Sequence, residues 1–408
     1  MRRIYFDHSA TTPVRPEVAE AICQYLKEDF GNPTSLHWYG RQVRKGVEGA
    51  REKVAAAIGA NPGEVVFTSG GTESDNMAIH GVAYSNKNRG NHIITSAVEH
   101  HAVLNTVKAL GKEGFTITTL PVDKYGMVSP DDVAAAITDK TILITIMHAN
   151  NEVGTIMPVK EIGEVAHSKG IIFHVDAVQS FGKIPVDVNE LGADLLSLSG
   201  HKIYGPKGVG ALYIRKGTRW RQTLFHGGAQ ERLRRAGTEN VPGIIGMGVA
   251  AELAASNLER DNAYLRGLRD KLIKEVMAKI SRVKLTGHPS RRLPNHASFT
   301  FEFIEGESML LSLDMKGIAA SSGSACTSGS LEPSHVLLSM GIPHEVAHGS
   351  IRLTLGIDNR PEDIDYFMEV MPPIVDRLRA MSPLDQETEF AMNSDCSACK
   401  VSGSCSRV

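Results

Sequence analysis

Surplus charge is what this chain most plainly lacks. Its 44 Lys and Arg face 46 Asp and Glu across 408 residues, a net charge of −2. Non-specific binding to nucleic acid runs on excess positive charge, so the balance argues against that partner. No run of about 18 apolar residues is present, the length a membrane-spanning helix needs. The start, Met1-Arg2-Arg3-Ile4-Tyr5-Phe6-Asp7-His8, is basic but has no apolar core for export. Cysteine is scarce, with five residues in the chain. Five thiols without an export signal read as reduced thiols, not a disulfide framework. The expected setting is therefore the cytoplasm, with neither a membrane nor nucleic acid as partner.

One local absence is as informative. Cys326 sits in Ser321-Ser322-Gly323-Ser324-Ala325-Cys326-Thr327-Ser328-Gly329-Ser330, where nothing large or apolar can anchor the backbone. Serine and glycine bury little surface to offset the entropy of ordering. A lone Cys is more often a small core residue, but here no apolar neighbours support that. A reactive thiol on an arm that reaches into a site is the expectation.

Apolar content of 42% with 22% charged residues fits a globular protein, and the length suffices for two domains. From about Val43 to Ile214, short β-branched runs alternate with amphipathic stretches. The expected strands are Val65–Phe67, Ile93–Thr95, Thr116–Leu120, Ile142–Met147, Ile171–Val175, Leu195–Leu198 and Val209–Ile214, with helices such as Val43–Ile58 and Val159–Ser168 between them. This order predicts an α/β fold, a large doubly wound, mostly parallel sheet with its ligand site beyond the carboxyl ends of the strands. Gly243–Glu259 and Tyr264–Ile280 read as two consecutive long helices. They lead into a smaller α+β region with His296–Phe303 and a final helix near Pro361–Arg379. After about Ser382 the tail turns small and polar.

Several expected strands run into polar residues. Val65–Phe67 leads to Thr68-Ser69-Gly70-Gly71-Thr72-Glu73-Ser74, a glycine turn opening a helix, where N–H groups favour an anion such as phosphate. The Gly-Lys-Ser/Thr ending of a nucleotide P-loop is missing. Ile171–Val175 ends at Asp176, with Gln179 three residues on, and Leu195–Leu198 runs into Ser199-Gly200-His201-Lys202. A carboxylate and a lysine at neighbouring strand ends suit a pyridine coenzyme: the carboxylate keeps the ring nitrogen protonated, and the amine forms a Schiff base and moves a proton. The Val98-Glu99-His100-His101 segment supplies an imidazole to stack on the ring, and Asn151 follows another strand, within reach of a phenolic oxygen. Each residue alone has a duller reading, as a turn cap, a solvated lysine or a core histidine. Their common sheet edge is what favours chemistry. Two other patterns read as structural: His174-Val175-Asp176 is the spacing of an iron facial triad, but such sites sit in all-β barrels, and Arg219, Arg221, Arg232, Arg234 and Arg235 read as a solvated or junction face.

These residues, with Tyr5–Pro13, Gly31-Asn32-Pro33-Thr34-Ser35, Ser69–Asn76, Asn150-Asn151-Glu152, Asp176-Ala177-Val178-Gln179, Ser199–Lys202, Gly227–Glu231, Arg235–Asn240, Ser322–Thr327 and Ser350–Leu353, resemble the group I cysteine desulfurases of the NifS/IscS type, within the class V aminotransferase-like enzymes. The resemblance covers nearly everything to about residue 380 and departs at His8, where the family more often has Asn. It implies a type I pyridoxal-phosphate (PLP) transferase fold: a large coenzyme domain over 14–258, a small domain from 1–13 and 259–381 carrying the loop 320–332, and a Cys-containing tail over 382–408.

Residue roles follow from the same resemblance. Lys202 would hold PLP, His100 would stack on it and assist acid–base steps, and Asp176 would pair with the ring nitrogen. Asn151 and Gln179 would contact the phenolic oxygen. Gly71, Thr72, Ser199 and His201 would bind phosphate, joined by Thr238 from the other subunit of a homodimer. Arg352, with Asn151, would hold the substrate carboxylate, since a guanidinium fork suits that bidentate task. Cys326 would attack the sulfur of L-cysteine, release L-alanine and carry a persulfide to an acceptor protein such as an iron–sulfur scaffold, or into other sulfur-transfer pathways. No resident metal is expected; Cys326 could ligate a transient iron–sulfur cluster, as could Cys396, Cys399 and Cys405 of the tail, three thiols being one short of a structural zinc set. Two enzymes of the same fold, a selenocysteine lyase and an aminotransferase, would not require Cys326. A non-catalytic scaffold presenting thiols would not need Lys202.

Overall fold

In the computed structural model, which describes residues 3–221, 224–322 and 332–382, a two-residue strand β1 (Ile4–Tyr5) precedes helices α1 (Pro16–Lys27) and α2 (Trp38–Ala56). Strands and helices then alternate: β2 (Val65–Thr68), α3 (Gly71–Asn86), β3 (His92–Ser96), α4 (His101–Lys112), β4 (Thr116–Leu120), α5 (Pro130–Ala136), β5 (Thr141–Met147), α6 (Val159–Ser168), β6 (Ile172–Asp176), β7 (Leu195–Ser199) and β8 (Gly210–Ile214). Seven of these strands form one sheet in the order β2-β8-β7-β6-β5-β3-β4. β8 runs antiparallel to both its neighbours, and the other pairings are parallel. Cys326, Cys396, Cys399 and Cys405 lie outside the described residues.

The strand composition explains the layering. All seven residues of β5, Thr-Ile-Leu-Ile-Thr-Ile-Met, are buried, as expected of a sheet covered on both faces. Alternate residues of β8 divide between two cores: Leu212 and Ile214 join Met77, Val82, Val103 and Val107 of α3 and α4, while Ala211 and Tyr213 face Val43, Val54 and Ile162 of α2 and α6. Each fully buried aliphatic side chain of this kind contributes about 1.5–3 kcal/mol. β4 lies at the edge, and its Thr-Ile-Thr-Thr-Leu is only partly buried. Threonine suits such a half-solvated pleat.

The predicted pair of helices is one element, Val241–Lys279. Residues Arg260-Asp261-Asn262-Ala263 contain neither Pro nor Gly, so nothing there breaks the helix. The Asp261 carboxylate instead accepts from Arg15, at 3.0 Å. By length and composition this is the one helix among the described residues able to cross a bilayer, yet half of its apolar window is buried in the protein. Val241, Ile244, Met247 and Ala251 join the large core, and Leu265, Leu268, Leu272 and Val276 join a third one.

That third core surrounds an antiparallel sheet of β9 (Val283–Leu285), β10 (His296–Phe301) and β12 (Ser350–Thr354), in the order β12-β10-β9. Helix Pro361–Ala380 contributes Phe367 and Met371, and the chain start contributes Ile4 and Phe6. β1 pairs in parallel with β11 (Ile318–Ala319). This brings Asp7 and Ser9 close to the edge of the large sheet.

Gly210 shows how tightly the glycine turn after β2 is packed. A Cβ at this position would lie 2.6 Å from Gly70 Cα and 2.6 Å from the Leu198 carbonyl oxygen. Both obstacles are backbone, so neither yields easily. Gly210→Ala is expected to destabilise the protein by about 1–3 kcal/mol, read as a lower urea midpoint. An unchanged midpoint would show that the turn relaxes freely.

Candidate active site

Register aligns the polar strand ends. Met147 pairs with Asp176, Asp176 with Ser197, and both Ser199 and Thr68 with Gly210. Beyond that edge lies a cavity of about 270 Å3. Its lining includes Gly71, Thr72, His100, Asn151, Asp176, Gln179, Ser199, His201, Lys202 and Arg352, all residues singled out from the sequence. Thr238 is exposed and is not part of that lining; its neighbours Gly237 and Glu239 border a separate small cleft. Cys326 lies outside the described residues.

Lys202 ends the short turn that follows β7, and its ammonium donates to the carbonyls of Ser9 and Ala10, the latter at 2.8 Å. Asp176, the last residue of β6, accepts from the Val178 N–H at 2.9 Å. Burial outweighs that bond and the nearby Lys202 charge, raising the carboxyl to about 6. His100 caps α4, with Nδ1 accepting from the Ala102 N–H at 3.1 Å. Burial first, then the Lys202 charge, pushes His100 down to about 4. It is thus a neutral imidazole with its proton on Nε2. Glu99 fixes this corner by accepting from Ser96 Oγ at 2.6 Å and the Met147 N–H at 3.0 Å, which ties β3 to β5. Burial holds Glu99 near 8, so it is largely neutral.

Opposite these groups, the N-terminus of α3 presents Gly71 and Thr72 beside Ser199 and His201. The first N–H groups of a helix lack intrahelical partners and attract anions. A Cβ at Gly71 would come within 2.6 Å of Val178 Cγ2, so that side chain would have to shift. His201 Nδ1 lies 3.2 Å from Thr11 Oγ1.

Arg352 crosses from β12 of the small sheet and is only 2% exposed. Its guanidinium donates to Asp7 at 2.8 Å and to the Asn151 carbonyl at 3.0 Å, leaving Nε without a partner. Its backbone N–H donates to the Ser321 carbonyl at 2.6 Å. Farther along the chain, Ser334 Oγ donates to the Glu152 carboxylate, and His335 Nε2 lies 3.1 Å from the Glu99 carbonyl. The described residues on either side of 323–331 are thus fastened beside the cavity.

Sequence reading missed Asp7, Ser9, Asp75 and Lys183. Asp75 was the most accessible of these, because it stands four residues after Gly71 and therefore on the same helix face. It lines the cavity, and burial, then the nearby Asp176, raises its pKa well above the usual range. Asp7 and Ser9 were hidden because contacts across more than 300 residues bring them in, Arg352 to Asp7 and the Ser9 N–H to Thr354. The two structural patterns are also accounted for. His174 sits between Thr145 Oγ1, at 2.8 Å, and Ser197 Oγ, at 3.0 Å. Of the arginine group, Arg235 pairs with Glu73 at 2.8 Å, Arg232 stands 3.8 Å from Glu48, and Arg234 donates to the Gly63 carbonyl.

The raised Asp176 pKa has a testable sign. The folded state binds this proton more tightly than the unfolded chain, so its contribution is complete below the unfolded value near 4 and is lost as pH rises through about 6. Asp176→Asn cannot ionise. Without ligand, that variant is expected to exceed the wild type at pH 8 by on the order of 2 kcal/mol, and to match it near pH 4. Denaturant midpoints at both pH values check this; a variant less stable at pH 8 would contradict it.

Comparison with known proteins now bears on the site. The Aminotransferase class-V family model matches residues 4–367. The cysteine desulfurase IscS of Methanosarcina thermophila is 59% identical over 383 residues, 94% of each chain. Among solved structures, a NifS-like protein superposes with a TM-score of 0.87 at 40% identity, covering 92% of this chain and all of the other. SspA in complex with cysteine superposes with a TM-score of 0.76 at 38% identity, covering 86% and 98%. The chain belongs to the class-V aminotransferase family, in the group of its IscS and NifS-like cysteine desulfurases.

Proposed function

We propose that this enzyme uses PLP to take sulfur from L-cysteine, releasing L-alanine and leaving a persulfide on Cys326. One observation carries the reading: Lys202, Asp176, His100 and Arg352 meet around a single cavity. The IscS relatives and the structure of SspA with cysteine support the same substrate. The donor set suits PLP as well. A buried carboxyl stands where a protonated ring nitrogen would pair with it, and a helix N-terminus with Ser199 and His201 stands where a phosphate would bind.

Lys202 would hold the coenzyme, Asp176 its ring nitrogen, and Asn151 and Gln179 its phenolic oxygen, with His100 against the ring face. Gly71, Thr72, Ser199 and His201 would take the phosphate, with Thr238 reaching in from a second copy in a homodimer. When bound, PLP supplies an electron sink that stabilises negative charge at the substrate Cα and makes the sulfur electrophilic. Arg352 would receive the substrate carboxylate through guanidinium N–H groups not engaged by Asp7 and the Asn151 carbonyl, which hold the fork in place. Lys202 Nζ, as a neutral amine free of the carbonyls of Ser9 and Ala10, takes the Cα proton. The Cys326 thiolate then forms a bond to the substrate sulfur; the carbon–sulfur bond breaks, its electrons stay with the carbon fragment, and protonation there yields L-alanine.

The fastening of Ser321 to Arg352 and of Ser334 to Glu152 supports an arm that starts and ends at the site. The persulfide would pass to an acceptor protein such as an iron–sulfur scaffold, in the cytoplasm. The apolar core around the small sheet, separate from the two that cover the large sheet, supports a division into a large domain over 14–258 and a small one from 1–13 and 259–381.

Cys326→Ala separates the two halves of this chemistry. It is expected to keep the visible absorption of bound coenzyme while sulfide and alanine formation fall at least about 100-fold. Turnover at the wild-type rate would refute the role of Cys326. A wild-type protein that stays colourless after incubation with PLP would refute the wider reading.

A further inference from the structure

We infer that Lys183 is a positioning residue whose side chain sets which way round the Gln179 amide stands in the site. The inference rests on the proposed reading that Gln179 meets the phenolic oxygen of the coenzyme.

Lys183 follows Gln179 by four residues in the turns after β6 and is only 6% exposed. Its Nζ donates to the Gln179 backbone carbonyl at 3.1 Å and approaches the Gln179 side-chain oxygen Oε1 at 3.4 Å. An ammonium has donors only, so the group facing it must be an acceptor. On its other side, Gln179 Nε2 donates to the Ser9 carbonyl at 2.9 Å. Turning the amide over would set Nε2 against the Lys183 donor and Oε1 against the Ser9 carbonyl, two repulsive contacts at once. Both neighbours therefore specify the same orientation.

The lock decides what Gln179 can offer a ligand. Oε1 faces Lys183 and one Nε2–H is engaged at Ser9, so the remaining Nε2–H is the group left for the cavity. A donor there suits an ionised oxygen and rejects a second donor. Ser9 also accepts from Lys202 Nζ, so the lock shares its anchor with the lysine that would hold the coenzyme. Burying a cation beside Lys202 and Arg352 is costly, and burial followed by those two charges pushes Lys183 down to about 7. Even as a neutral amine it keeps N–H donors for the Gln179 oxygens.

The test is a double-mutant cycle in which PLP binding to the coenzyme-free protein is followed by its visible band. Lys183→Met, which keeps length but loses every donor, is expected to weaken PLP binding about 10-fold and to shift the band maximum. In a Gln179→Ala background the same change should have almost no further effect on PLP, because the amide that Lys183 orients is gone. PLP affinity and band position unchanged in Lys183→Met would overturn the inference, as would an equal loss in both backgrounds, the mark of a merely structural role. If Lys183→Met fails to fold by thermal melt and circular dichroism, Lys183→Leu in the same cycle decides by the same criteria. A wild-type protein that binds no PLP overturns the functional reading and this inference with it, whereas failure of the cycle with a coloured wild type overturns the inference alone.

Discussion

Backbone pairing of β6 with β5 and β7 is the constraint on which the rest of this site depends. It sets Asp176 level with Met147 on one side and Ser197 on the other. A slip of one residue would send each side chain to the opposite face of the sheet, taking the Asp176 carboxyl away from the cavity. The antiparallel β8 fixes the remaining width, since Gly210 pairs with Ser199 and Thr68 while its bare Cα lets Gly70 approach. The glycine turn, the lysine turn and the aspartate therefore stand at one height through strand pairing and the close approach that Gly210 allows.

Burial then sets the electrostatics. Asp176 and Glu152 are both raised by it, to about 6 and about 7, and His100 is lowered to about 4. In each case the neutral form is favoured because little water reaches the group. The cations remain paired with backbone or carboxylate: Lys202 with Ser9 and Ala10, Lys183 with Gln179, Arg352 with Asp7. A pocket of this kind offers positive charge and directed donors to an anionic ligand and holds them in position beforehand. Preorganised polar groups in a poorly hydrated site are what make such chemistry efficient.

Much of the fold was legible, and the reasons are local. Thr116–Leu120 and Val159–Ser168 form where the pattern puts them, and the other sheet strands agree within a residue or two at their ends. Two helices differed: α2 starts at Trp38, five residues before the expected Val43, and the expected pair after Gly243 is one helix. A polar interval after Glu259 reads as a break, yet this is only where Val241–Lys279 crosses from one core to the other, and its buried face resumes at Leu265. Hydrophobic periodicity records burial, and it lapses wherever a helix has nothing to pack against.

The sequence by itself determined the alternation of strand and helix, the polar residues at the strand ends and the glycines at the turns, because each depends on neighbours a few positions away. It also carried the family, through motifs spread along nearly the whole chain. Only the tertiary structure decided that Asp7 would brace Arg352, that Ser9 would serve both Lys202 and Gln179, and that Lys183 would be buried beneath an amide. Those contacts link segments that lie far apart in the chain, or depend on which side of a turn faces inward. Neither property leaves a periodic trace in sequence, since both arise only once distant or turn-side groups are packed together.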